Sequence, residues 1–399
     1  MIPRHRPPSG TLSLLTTAAK SAFRRSNVPE LELAWQRSLD VQHAVWIPSA
    51  RWAIARTIQS HTTTAAEVVC PVFNCGAVHH AVSESGRNVD YRDCAADSFL
   101  MNCSGAASGS QAIVLSEIFG HRFSPSELSQ PLIHEAAVRI FDLAMGIPTT
   151  NDMQRMQSGD VTVLSFGLGK SLYAGWGGMA LTNCNDTADM LRRRRDDELQ
   201  SRGAVQRTRW NASVVLRTVA HEPWIYRRVR AKTDRPNESA ANPQNSFSAA
   251  SHEWNRPPTA FHVAHSLRNL RMAGEWAEQR LRLLDEYRIR LQRISPMVQL
   301  PLNDAAAFSH FSIRVPGSIR ESLRKRLWDN GVDVASLFPF PAGWCAAEQF
   351  PLAARAATEV LNLPLSNQLQ QRDVVRVCDA LKRAVDELSA LPSTQKAAA

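Results

Sequence analysis

The stretch from Gly159 to Asn183 constrains this chain more than any other. Val161 to Phe166 is an apolar, β-branched run with the length of a buried strand. Phe166 to Gly178 is a turn with five glycines, one tryptophan and one lysine, and Met179 to Thr182 is a second short apolar run. Glycines let other backbones and ligands come close, so a strand–loop–strand with a lone lysine at its tip is a place for chemistry. Lys170 is flanked by glycine and apolar residues, with no second charge nearby. A solvated lysine on a turn is the common case. Loss of hydration in this setting disfavours the ammonium and leaves a usable amine nucleophile, the condition for a Schiff-base lysine. Gly169-Lys170-Ser171 ends like a phosphate-binding P-loop, but Leu164 stands where that motif needs its first glycine, and glycines follow where it needs a helix.

The register of Gly159-Asp160, Ser165-Phe166, Lys170, Gly177-Gly178-Met179 and Thr182-Asn183 resembles the lysine segment of the DegT (DegT/DnrJ/StrS) family of sugar aminotransferases. These are fold-type-I enzymes that use pyridoxal 5'-phosphate (PLP). The resemblance implies an α/β, aspartate-aminotransferase-like fold: a large domain with a mostly parallel sheet between helices, then a small C-terminal α+β domain. It implies that Lys170 carries PLP as an imine and that Ser165 donates to the PLP phosphate.

Other segments are similar to the same family. Ala44 to Ile47 leads to Pro48-Ser49-Ala50-Arg51, a strand entering a helix start, which is a ready anion site. By resemblance this segment holds the phosphate, through Ser49 and the backbone N–H groups of Ala50 and Arg51, with Arg51 able to add charge. Glu67-Val68-Val69-Cys70-Pro71 resembles the strand before the residue that stacks on the PLP ring. Counting from Pro71, that residue is Cys75 instead of an aromatic, with Phe73 as an alternative through a small loop shift. Ala112 to Gly120 is similar to a further strand, with Glu117 where histidine is usual. Pro131 to Val138 matches the segment whose acid pairs with the pyridinium nitrogen. This makes Glu135 the ring-nitrogen partner and puts Val138 at a position usually polar toward the cofactor. Asn255 matches an asparagine that reaches the phosphate of a neighbouring subunit, which implies a homodimer with shared active sites.

At 399 residues the chain can bury a large core. We expect a flexible leader over 1–27, a PLP-binding large domain over 28–260 with an insertion-like stretch at 205–251, and a small domain over 261–399. The net charge of +9 permits attraction to polyanions and points toward phosphorylated substrates. No helix-turn-helix or zinc pattern argues for nucleic acid. Seven scattered cysteines without ligand spacing fit neither a disulfide framework nor a metal site, and suit a reduced, cytoplasmic protein. The paired His79 and His80 are expected at a surface or core edge rather than in chemistry. Ala212 to Val229 is amphipathic, basic and aromatic. Such a segment can lie on a membrane, but packing on its own fold is the expected use. Strands are expected at Ser309–Val315, Gly331–Val334 and Leu361–Leu365, with helices at Val28–Leu39, Ile319–Asn330 and Gln371–Leu388.

The function implied by the resemblance is amino transfer to a keto sugar, carried on a nucleotide diphosphate, with glutamate as a plausible donor. Lys170 and Glu135 would be the catalytic pair, and the remaining positions would hold the cofactor. Two alternatives stand beside it. One is another PLP reaction on the same scaffold. The other is a non-catalytic regulatory or scaffold relative.

Overall fold

A computed structural model describes residues 1–21, 24–96, 98–105, 112–200, 203–233, 256–292, 294, 298–300 and 309–390. Its centre is a seven-stranded sheet of β1 (His43–Ile47), β2 (Glu67–Pro71), β3 (Asn88–Arg92), β4 (Ala112–Ser116), β5 (Val138–Asp142), β6 (Val161–Ser165) and β7 (Gly178–Thr182). The spatial order is β1-β7-β6-β5-β4-β2-β3. β7 runs antiparallel to both neighbours and the other pairs are parallel. The β4 and β5 residues are buried throughout, as expected for parallel strands covered on both faces.

One face of the sheet packs Val45, Ile47, Val114 and Val163 under the helix Ala50–His61. The other face packs Phe73, Phe99, Phe119 and Phe141 in an aromatic core. The small C-terminal unit pairs β8 (Phe311–Arg314) with β9 (Val360–Leu363) in an antiparallel ladder, backed by helices Gly317–Asp329 and Gln371–Ala390. The expected strand at Gly331–Val334 is absent. Val332 makes only a single bridge, to Ile2, because the N-terminal segment pairs there for one residue.

The expected helix Val28–Leu39 is present. Asn27 Oδ1 accepts from the Glu30 N–H at 3.2 Å to start it, and Asp40 ends it in the left-handed region at φ 52°. The region before it differs from the expected leader. Residues Thr11–Ser21 form a helix, and Ile2 and Leu14 are buried. Arg4 donates twice to Asp333, at 2.8 and 2.9 Å. That carboxylate also accepts from the Tyr226 hydroxyl at 2.6 Å. Buried apolar side chains and a shared ion pair supply what composition alone did not reveal.

The 205–251 stretch is two helices, Ala204–Ala220 and Pro223–Thr233, followed by residues outside the described set. Trp210, Val214 and Tyr226 are buried, so the segment packs on its own fold. The division at residue 260 falls at the start of one 32-residue helix, Ala260–Leu291. That helix gives Phe261, Leu270 and Trp276 to the core beside β6 and β7, and Leu284 and Tyr287 to the core of the small unit.

Candidate active site

The strands carrying the lysine are tied at their base. Asp160 and Arg139 form a buried ion pair across β5 and β6, with Arg139 Nε donating at 2.9 Å. The Thr182 hydroxyl donates to the Asp160 carbonyl at 2.7 Å. The Gly159-Asp160 pair of the sequence pattern is thus structural. At the other end of β6 the chain must double back into β7. A Cβ on Gly178 would stand 1.9 Å from the Leu164 carbonyl oxygen, so no other residue fits there.

A cavity of about 340 Å³ opens at the carboxyl ends of the parallel strands. Its size and place are those of a small-molecule site in an α/β fold. Lys170 and Ser165 line it from the β6–β7 turn, and Asp142 lines it from the end of β5. Ser49, Ala50 and Arg51 line it from the start of helix Ala50–His61. There the Ser49 hydroxyl oxygen accepts from the Trp52 N–H at 3.1 Å. The first N–H groups of a helix have no acceptor within the helix, so this end presents donors and a positive dipole to the cavity. Cys75, the residue before helix Gly76–Glu84, completes that side.

Asp142 is the carboxylate of the site. Burial raises its pKa, while the Lys170 charge, the Ala144 N–H at 3.0 Å and the Ser116 hydroxyl pull it back down. Asn74 in turn donates to the Ser116 Oγ at 2.7 Å and fixes it. Arg217, Arg256 and Trp176 also line the cavity. Arg256 lies over the Trp210 ring at 5.5 Å, and Trp210 lies 6.0 Å from Trp176. With Arg51 and Lys170, these cations outnumber the single acid and favour an anionic ligand.

The sequence expectations divide at this cavity. Ser49, Ala50, Arg51, Cys75, Ser165 and Lys170 come together there. Glu135 does not: it caps the short helix Pro131–His134 and is exposed. Val138 does not either. It is the buried first residue of β5, inside the sheet core. The physical reason is register. The strand begins at Val138, so its carboxyl end, where a ligand can reach, is Asp142, seven residues after Glu135. The run Val138-Arg139-Ile140-Phe141-Asp142, a β-branched and aromatic stretch ending in an acid, holds only a weak hint of this end. Phe73 points into the aromatic core, 5.7 Å from Phe99 and 6.0 Å from Phe338, and leaves Cys75 at the cavity. Glu117 is buried away from it, paired with Arg122 at 3.0 Å and Arg155 at 2.8 Å. His79 stacks on Trp344. Asn255 lies outside the described residues. Arg217 and Arg256 were not anticipated, because residues distant in sequence meet only through the fold; Trp176 belongs to the lysine turn noted in the sequence but was given no role there.

A search among curated proteins finds no match. Solved structures are similar over nearly the whole chain. Sugar aminotransferase CalS13 from Micromonospora echinospora has a TM-score of 0.70 at 17% identity, covering 96% of this chain and 100% of that one. PseC of Helicobacter pylori, an aminotransferase involved in the biosynthesis of pseudoaminic acid, has a TM-score of 0.71 at 12% identity, covering 97% and 99%. The E. coli GDP-4-keto-6-deoxy-D-mannose-3-dehydratase with bound hydrated PLP has a TM-score of 0.71 at 12% identity, covering 96% and 100%. Residues 14–220 and 246–382 match the DegT/DnrJ/EryC1/StrS aminotransferase family, and the chain belongs to that family of PLP-dependent fold.

Proposed function

We propose that this protein is a PLP-dependent aminotransferase that transfers an amino group to a keto sugar, with Lys170 as its Schiff-base lysine. The observation that carries this reading is the meeting of Lys170, Ser165, Asp142 and the Ser49–Arg51 helix start in one cavity. The residues fit the cofactor: a helix start and a hydroxyl for a phosphate, a buried carboxylate for a ring nitrogen, and an amine for an aldehyde. When bound, PLP supplies an electron sink for the carbon that loses a proton.

In this reading the Lys170 amine would hold the cofactor's aldehyde end and would serve as the base and acid that moves the proton at the substrate carbon. Asp142 takes the role that the sequence resemblance gave to Glu135. It would pair with the ring nitrogen, and the Ser116–Asn74 chain orients it. The Ser165 hydroxyl and the N–H groups of Ala50 and Arg51 bind the phosphate. Arg51, Arg217 and Arg256 make the cavity attractive to a second anion, which suits a keto sugar on a nucleotide diphosphate and glutamate as the donor. We read the protein as cytoplasmic. Among the described residues no helix is long and apolar enough to cross a membrane. We also read it as a homodimer in which Asn255 serves the neighbouring subunit.

The test is the visible spectrum of the purified protein with PLP, beside Lys170→Ala, with borohydride to trap an imine. The expected result is a yellow band and a trapped adduct in the wild type and neither in the variant. Neither signal in the wild type would overturn the enzyme reading. Glutamate followed by nucleotide-linked keto sugars then tests the substrate class, and sedimentation tests the dimer.

A further inference from the structure

We propose that helix Ala260–Leu291 is a splint for the Lys170 loop, with His262, Asn269 and Arg280 as positioning residues. The three are spaced by seven and eleven residues. At about 100° per residue both spacings fall close to whole turns, so the side chains share one face. Each meets the segment that follows Lys170. Arg280 Nη1 donates to Ser171 Oγ at 2.6 Å. Asn269 Nδ2 donates to the Tyr173 carbonyl at 2.9 Å. His262 Nδ1 lies 3.2 Å from the Ala174 carbonyl, and the His262 ring stacks on Trp176 at 4.5 Å.

The proton on His262 is fixed by its other neighbour. Trp46 Nε1–H can only donate, and it lies 3.1 Å from His262 Nε2. His262 Nε2 therefore accepts, and Nδ1–H donates to Ala174. All three splint residues are buried. Burying polar groups is unfavourable unless they are bonded, and an apolar face would have served the core equally well. What the polar face does is hold a loop that would otherwise be loose. Gly169 and Gly175, on either side of the bonded residues, both have positive φ, 81° and 109°. The splint removes the freedom those glycines allow and fixes the backbone that aims Lys170 and Trp176 into the cavity. Its consequence for catalysis rests on the proposed function, but its geometry does not.

Hydrogen exchange of the full chain tests it, on the wild type and on His262→Phe, His262→Asn and Asn269→Ala. In the Phe and Ala variants the amides of Ser171 to Gly177 are expected to exchange about fivefold faster, the scale of one lost neutral hydrogen bond. Peptides from β2 and β4 should be unchanged. His262→Asn, which keeps an N–H able to reach the Ala174 oxygen, should fall between. The rate of borohydride-trapped adduct formation with PLP should fall in the same order. Unchanged exchange at 171–177 in both variants, or an equal rise across the strands, would overturn the splint. If the wild type traps no PLP, the proposed function fails while the exchange pattern still decides the splint.

Discussion

Asp142, at the end of β5, and Lys170, on the β6–β7 turn, line one cavity, and the lysine's charge pulls down a carboxyl pKa that burial raises. The lysine thus offsets part of what burial does to this acid, whose pKa stays raised. In the proposed reading, this carboxylate is the group that would hold the cofactor's ring nitrogen.

Asp142→Asn should therefore lower the rate of the glutamate half-reaction, followed by the change in the visible band, on the order of a hundredfold or more. The protein should stay folded and should still give a borohydride-trapped adduct at Lys170. Glu135→Gln, at an exposed helix end, should leave the rate within about twofold. The reverse ranking would return the role to Glu135.

Stability should fall on mild acidification. Burial lowers the pKa of His262, His265, His121 and His310 to about 3, and that of His79 to about 4. Each folded value lies below the unfolded value of about 6.5. The unfolded chain thus binds more protons in that interval, and stability is lost as pH drops from about 6.5 toward the folded values. Each histidine can contribute up to about 1.4 kcal/mol per pH unit there. Thermal midpoints should be nearly level from pH 7.5 to about 6.5 and drop from there to pH 5. A flat profile would mean that these rings are hydrated.

The lysine segment was legible in the sequence because its chemistry and its backbone demands are local. Glycines, a β-branched strand and a lysine sit in one fixed register. The helix start at Ser49 was legible for the same reason. The acid that lines the cavity was not, because a short stretch gives little sign of where a strand begins, and an offset of seven residues separates Asp142 from Glu135. Arg217, Arg256 and the polar face of helix Ala260–Leu291 were invisible, since their meaning depends on contacts with residues far away in the chain. The N-terminal segment misled for a related reason. Its composition is that of a loose leader, and it is held by Asp333, which sits more than 300 residues away.

The Arg139–Asp160 pair predicts a large asymmetry between removing a charge and removing a contact. Both side chains are almost wholly buried, and Asp160 also accepts from the Gln157 N–H at 2.6 Å. Asp160→Asn leaves Arg139 charged and buried without its counter-ion. The expected loss is about 3–5 kcal/mol in urea unfolding, without direct effect on cavity residues. Arg326→Ala, which breaks a surface pair with Glu387 at 2.7 Å, should cost less than about 1 kcal/mol. Equal losses from the two changes would show that the β5–β6 pair is solvated.

The last expectation concerns the hinge of the lysine turn. A methyl on Gly178 would meet the Leu164 carbonyl oxygen at 1.9 Å and the Leu164 carbonyl carbon at 3.0 Å, both backbone atoms that cannot swing aside. Gly178 is paired with both Ile47 and Ser165, so any shift moves β1 and β6 together and displaces Ser165 at the cavity. Gly178→Ala should therefore destabilise the protein by at least about 1–3 kcal/mol and weaken PLP binding in the same variant. Gly274→Ala is the control. Nothing lies within 4 Å of its added methyl, and it is an exposed position inside helix Ala260–Leu291, where alanine is the better helix former. It should leave binding unchanged and should not lower stability. If Gly178→Ala matched that control, the close crossing of β6 and β7 would not be what shapes the lysine turn.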